Sequence, residues 1–63
     1  MNTYETTYHK LTNEVHIRLN GKPVADYSPL LEGDPVWACD ETIPDDVKLN
    51  GERVWNSNQP QKG

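Results

Sequence analysis

Polar and apolar residues alternate without a break through Glu14-Val15-His16-Ile17-Arg18-Leu19, the pattern of a strand with one buried face. The stretch before it, residues 3–11, is rich in Thr and Tyr and reads as a partner strand, joined to it by a turn at Thr12-Asn13. Asn20-Gly21 follows Leu19. Both residue types tolerate positive φ, so this pair predicts a tight hairpin into a third strand over 22–27. Pro23 cannot donate to a ladder, which places that strand at an edge or Pro23 at its start.

Two-residue turns set an expected register. Tyr8 then faces Ile17, Thr6 faces Leu19, and Ile17 also faces Val24. One face of the meander carries Tyr4, Tyr8, Val15, Ile17, Leu19 and Val24. The other carries Glu5, Thr7, His9, Glu14, His16 and Arg18, and Tyr27 falls on this polar face beside Ala25.

The second half is less regular. Ser28-Pro29-Leu30-Leu31-Glu32-Gly33 has a capping residue, a proline at the first helical position and a terminal glycine, and predicts one helical turn whose leucines fold over the apolar face. Val36-Trp37-Ala38-Cys39 reads as a short strand, and 40–46 as an acidic connection. Residues 47–54 then repeat the phrase of 17–24: Val-Lys-Leu-Asn-Gly-Glu-Arg-Val against Ile-Arg-Leu-Asn-Gly-Lys-Pro-Val. Outside those positions the similarity disappears, so common turn chemistry explains it better than an internal repeat. Asn50-Gly51 is read first as a second hairpin. The competing reading is a short helix from Pro44-Asp45-Asp46 that ends at Asn50-Gly51. In both, Arg53-Val54-Trp55 forms a closing strand.

The expected architecture is therefore a small β-rich domain, all-β or α+β. It comprises a three-stranded antiparallel meander, a short helical turn and one or two further strands, over residues 1–55. Residues 56–63 hold no apolar side chain and read as a disordered tail. The expected core is Tyr4, Tyr8, Val15, Ile17, Leu19, Val24, Leu30, Leu31, Val36, Trp37, Val47, Leu49, Val54 and Trp55.

Composition narrows the function. With 63 residues and an apolar fraction of 33%, the core is small and its stability marginal. Cys39 is the single cysteine, so no disulfide forms within the chain. Residues 1–5 carry neither a basic nor an apolar stretch, and no apolar run suits a membrane span, so a cytoplasmic protein is expected. Six basic residues are scattered against ten acidic ones, which disfavours nucleic acid and suits a basic protein partner.

Four candidate sites emerge. His9 and His16, directly opposed in the expected register, could share a metal, with Glu14 or Glu5 adding a ligand. Two solvated histidines on a polar face explain the pair as well, because the usual zinc spacings are missing. Cys39 with either histidine could make a nucleophile and base, though a cysteine beside Trp37 in a strand reads as a small core residue. Asp40, Glu41, Asp45 and Asp46 form either a solvated loop or an acidic docking patch. Tyr27, with Arg18 on the same polar face, could anchor a partner. No phosphate loop, dinucleotide fingerprint or serine elbow is present.

The expected function is thus a non-catalytic protein-interaction module of the inhibitor or adaptor kind, with no cofactor. It would dock through an acidic or sheet surface, with Asp40, Glu41, Asp45, Asp46, Tyr27 and Arg18 as partner-binding candidates. The alternatives are a homodimeric structural protein and a metal-binding protein using His9 and His16.

Overall fold

The computed structural model describes residues 1–29 and 33–60. Strands β1 (Tyr4–His9), β2 (Glu14–Leu19), β3 (Lys22–Pro29) and β4 (Pro35–Cys39) are followed by helix α1 (Asp45–Ser57). The strands form one antiparallel sheet in the order β1-β2-β3-β4. The domain is a β-rich α+β fold, and α1 lies across β1, β2 and β3 on one face of the sheet.

The first Asn-Gly is the expected hairpin turn. Asn20 and Gly21 both have positive φ, 53° and 85°, as a type I′ turn requires. Asn20 also ties down the start of the sheet. Its Oδ1 accepts from the Thr3 amide at 3.0 Å, and its own amide donates to the Thr3 carbonyl at 2.9 Å.

The β1–β2 turn is longer than expected. Residues 10–13 form the loop, closed by Asn13 at φ 59°, whose amide donates to the His9 carbonyl at 2.8 Å. The register therefore moves by two residues: Tyr8 pairs with Val15, Thr6 with Ile17 and Tyr4 with Leu19. A shift of two preserves the parity of every side chain, so the expected division into faces survives.

The β2–β3 pair departs more sharply. Arg18 pairs with Pro23, but Ile17 pairs with Ala25, which leaves Val24 as an extra residue in a β-bulge. Beyond the bulge every β3 side chain changes face. Tyr27, expected on the polar face, pairs with Val15 and turns toward the core, and Asp26 pairs with His16 on the opposite face. The bulge resolves a conflict in the sequence. Val24 and Tyr27 are an odd number of residues apart, so an unbroken period of two cannot bury both while exposing Asp26. Strand β3 also runs through Ser28 and Pro29 in place of the expected helical start. The Leu30 and Leu31 lid lies outside the described residues.

The second Asn-Gly is no turn, and residues 53–55 form no strand. Helix α1 begins after Pro44, whose carbonyl accepts from the Val47 and Lys48 amides at 3.1 Å, and it runs through Asn50-Gly51 to Ser57. The acids Asp45 and Asp46 occupy its first turn, where the helix dipole favours negative charge. Ser57, Asn58 and Gln59 side chains donate to the carbonyls of Arg53, Val54 and Trp55 at its end. Val47, Gly51, Val54 and Trp55 recur at i, i+4, i+7 and i+8, which is one helical face.

Gly51 is the buried residue of that face, and its missing side chain has a packing role. An added Cβ would lie 2.7 Å from Trp37 Cη2 and 3.6 Å from Ile17 Cδ1. The indole of Trp37 thus fills the space above Gly51, and its Nε1 donates to Glu52 on the same helix at 3.0 Å.

Val15, Ile17, Val24, Ala25 and Ile43 form the buried core, with Tyr4, Tyr8, Leu19, Tyr27, Trp37, Val47, Val54 and Trp55 packed around it. Ile43, in the connection before α1, is only 3% exposed and was missed by pattern reading, because it stands alone among acids and a proline. Val36, Leu49 and Cys39, all read as core, are exposed. Val36 lies on the face away from α1, and Leu49 points outward from α1.

Asn13 clasps the two ends of the fold together. Its Oδ1 accepts from Tyr8 Oη and from Gln59 Nε2, both at 2.7 Å, and its carbonyl accepts from Trp55 Nε1 at 3.0 Å. Substituting Asn13→Gly keeps the positive φ but removes both side-chain bonds. A loss of about 1–2 kcal/mol is expected, read as a lower midpoint in urea. An unchanged midpoint would show that the clasp contributes nothing net.

Candidate functional site

The helix covers one face of the sheet; among the described residues no element covers the other. This open face carries Glu5, Thr7 and His9 from β1, Glu14, His16 and Arg18 from β2, Asp26 from β3, and Val36 and Ala38 from β4. Glu5, Thr7, Arg18, Val36 and Ala38 are exposed, and the ionisable residues near its centre are half-buried.

The centre is a cluster around His16. Glu14 and His16 flank Val15, so strand alternation puts both on the open face. His16 Nε2 and Glu14 Oε1 are 2.9 Å apart. This hydrogen bond is the main reason the Glu14 carboxyl titrates below the usual carboxylate range, since partial burial acts the other way. Asp26 joins the cluster from β3, directly opposite His16. One ligating atom from each of Glu14, His16 and Asp26 lies within 4.8 Å of the other two.

His9 and His16 are not directly opposed. His9 pairs with Glu14 and His16 with Thr7, which makes the imidazoles diagonal neighbours. Their rings still meet, with centroids 4.1 Å apart and planes tilted by 39°. Beside the cluster is an open depression of about 340 Å³, lined by His16, Pro23, Ala25, Asp26, Ala38 and Asp40.

The remaining candidates are dispersed. Asp40, Glu41, Asp45 and Asp46 are exposed along the β4–α1 connection and the start of α1. Asp40 reaches the depression, while Asp45 and Asp46 serve the helix terminus. Arg18 is exposed on the open face. Tyr27 lies on the covered face, its ring 4.7 Å from Trp37 and in an edge contact 5.9 Å from Trp55. Burial pushes the Tyr27 phenol up, with Glu52 and Asp34 adding to the shift. The residue that sequence reasoning missed is Asp26. Its signal was the broken alternation of Val24-Ala25-Asp26-Tyr27, which calls for a bulge.

No protein-family model, curated protein or solved structure matches the chain. Among the described residues, no helix is long and apolar enough to cross a membrane.

Proposed function

We propose that this chain is a non-catalytic protein-interaction module that docks through the open face of its sheet. The observation that carries this reading is the one-sided architecture. A single helix covers one face of a four-stranded sheet, and the other presents Arg18, Val36 and Ala38 together with a depression that Ala38 helps to line. Apolar side chains beside charged ones are the composition of an interface core with its rim. The net charge of −4 and Asp40 at the margin favour a basic partner surface, and charge of this kind acts mainly on the rate of association.

Affinity capture from a cell extract at moderate salt, run with matched variants, tests the reading. A partner retained by the native chain is expected to survive Leu49→Glu, on the outer side of α1, and to be lost with Val36→Glu. No partner surviving moderate salt, or a partner lost equally with both variants, would end the proposal. Self-association is the second reading, supported by β1 and β4 as the two outer strands of the sheet, whose free edges can pair with another copy. Sedimentation over a concentration range separates the two, because a strict monomer removes it.

A further inference from the structure

We infer that Glu14, His16 and Asp26 form a binding site for a first-row divalent transition metal of the zinc class. The inference is independent of the interaction reading. It rests on three things the fold brings together.

The first is the ligand set. One imidazole nitrogen and two carboxylate oxygens lie within 4.8 Å of one another. Tetrahedral zinc, with ligand distances of about 2.0–2.2 Å, needs ligand atoms roughly 3.4 Å apart. The His16–Glu14 pair, at 2.9 Å, is already inside that spacing. The widest separation has to close by about 1 Å or a little more, within reach of a small rotation of a half-exposed carboxylate. A mixed nitrogen and oxygen set suits zinc and its neighbours better than calcium or magnesium, which take oxygen alone.

The second is charge. Two carboxylates around one imidazole repel each other. A divalent ion supplies two positive charges while bonding all three groups. The third is placement. Glu14 and His16 project from one strand at i and i+2, and Asp26 stands opposite His16 on the next. Sites on paired strands are held more rigidly than sites on loops. The His9 ring, tilted against His16 with centroids 4.1 Å apart, borders the imidazole without entering the ligand set. Three protein ligands leave a tetrahedral position free, and the neighbouring depression, which His16 and Asp26 both line, gives room for water or a small anion there.

This assignment differs from a histidine pair in a way that mutation can read. Zinc chloride titrated into the untagged 63-residue chain near neutral pH, followed by calorimetry and by the His ring resonances, is expected to show one saturable site of micromolar affinity that shifts His16 most. His16→Ala and Asp26→Asn are each expected to weaken binding by about tenfold or more, the loss that even outer partners of a metal produce. His9→Ala is expected to leave it nearly unchanged. Glu14→Gln is a second carboxylate variant, should Asp26→Asn fold poorly, and far-UV spectra without metal establish that each variant is folded. Binding only at millimolar zinc would overturn the inference. So would a loss with His9→Ala that Asp26→Asn and Glu14→Gln do not share.

Discussion

Replacing Ile17 with Ala is expected to remove a large part of the domain's stability. Ile17 is fully buried on the central strand β2, under Gly51 of α1 and beside Val15 and Val24. Truncation of a buried Ile to Ala costs about 2–5 kcal/mol, and the upper part of that range applies where neighbours cannot collapse into the cavity. Here one wall is sheet backbone and another is Gly51 of the helix, which has no side chain to move inward. At about 0.05–0.15 kcal/mol per residue, a chain of this length has roughly 3–9 kcal/mol in total. One substitution therefore removes about half of its stability or more. Urea unfolding followed by tryptophan fluorescence is the measurement, because both tryptophans pack around this core. A loss below about 1 kcal/mol would mean that the helix is not seated on the sheet as described. Leu49→Ala is the control: Leu49 is 62% exposed and its loss should stay within about 0.5 kcal/mol.

Gly51→Ala is expected to destabilise the protein although it improves the helix. In an exposed helix interior the change gains about 0.8–1.0 kcal/mol. Here the new methyl would stand 2.7 Å from Trp37 Cη2, closer than real Cβ atoms come, and 3.2 Å from Cζ2, tighter than most Cβ contacts. Either the indole leaves its place, losing the bond to Glu52, or α1 lifts from Ile17. Overpacking of this kind costs about 1–3 kcal/mol, so after the helix gain the net runs from about zero to a loss of about 2 kcal/mol. A double-mutant cycle isolates the contact. In a Trp37→Phe background the far indole atoms are gone, and Gly51→Ala should there become neutral or stabilising. A raised urea midpoint for Gly51→Ala in the native background would show that the ring yields without cost. Asn50→Ala sharpens the distinction between helix and hairpin. In a hairpin it removes a turn residue and is damaging; in a helix it loses only a long, exposed bond to Thr6 and gains propensity.

The parts legible in the sequence are those where one local rule acts alone. The alternation of 14–19 and the Asn20-Gly21 turn specified β2 and its hairpin. Because side chains alternate with a period of two, even a misjudged first loop left every residue of β1 on its expected face. The cluster was legible only in part: His9, His16 and Glu14 were placed on one face, and Asp26 was not. An unbroken register sends Asp26 to the core side, and only recognising that Val24 and Tyr27 both need burial would have called for the bulge. The helical face of Val47, Gly51, Val54 and Trp55 was also present in the sequence. It was obscured because a glycine after asparagine reads as a turn before it reads as a packing position.

The sequence by itself determined the strands of the meander, the parity of β1 and β2, and the Asn20-Gly21 turn. These depend on contacts between near neighbours and on backbone preferences of single residues. Tertiary structure decided what the same dipeptide does at its second occurrence, and which way Asp26 points. An apolar sheet face needs a cover, and 45–57 can supply it only as a helix whose glycine makes room for Trp37. A strand that must bury both Val24 and Tyr27 needs an extra residue between its pairings. Both choices minimise exposed apolar surface across the whole domain, a quantity that no short window of the chain contains.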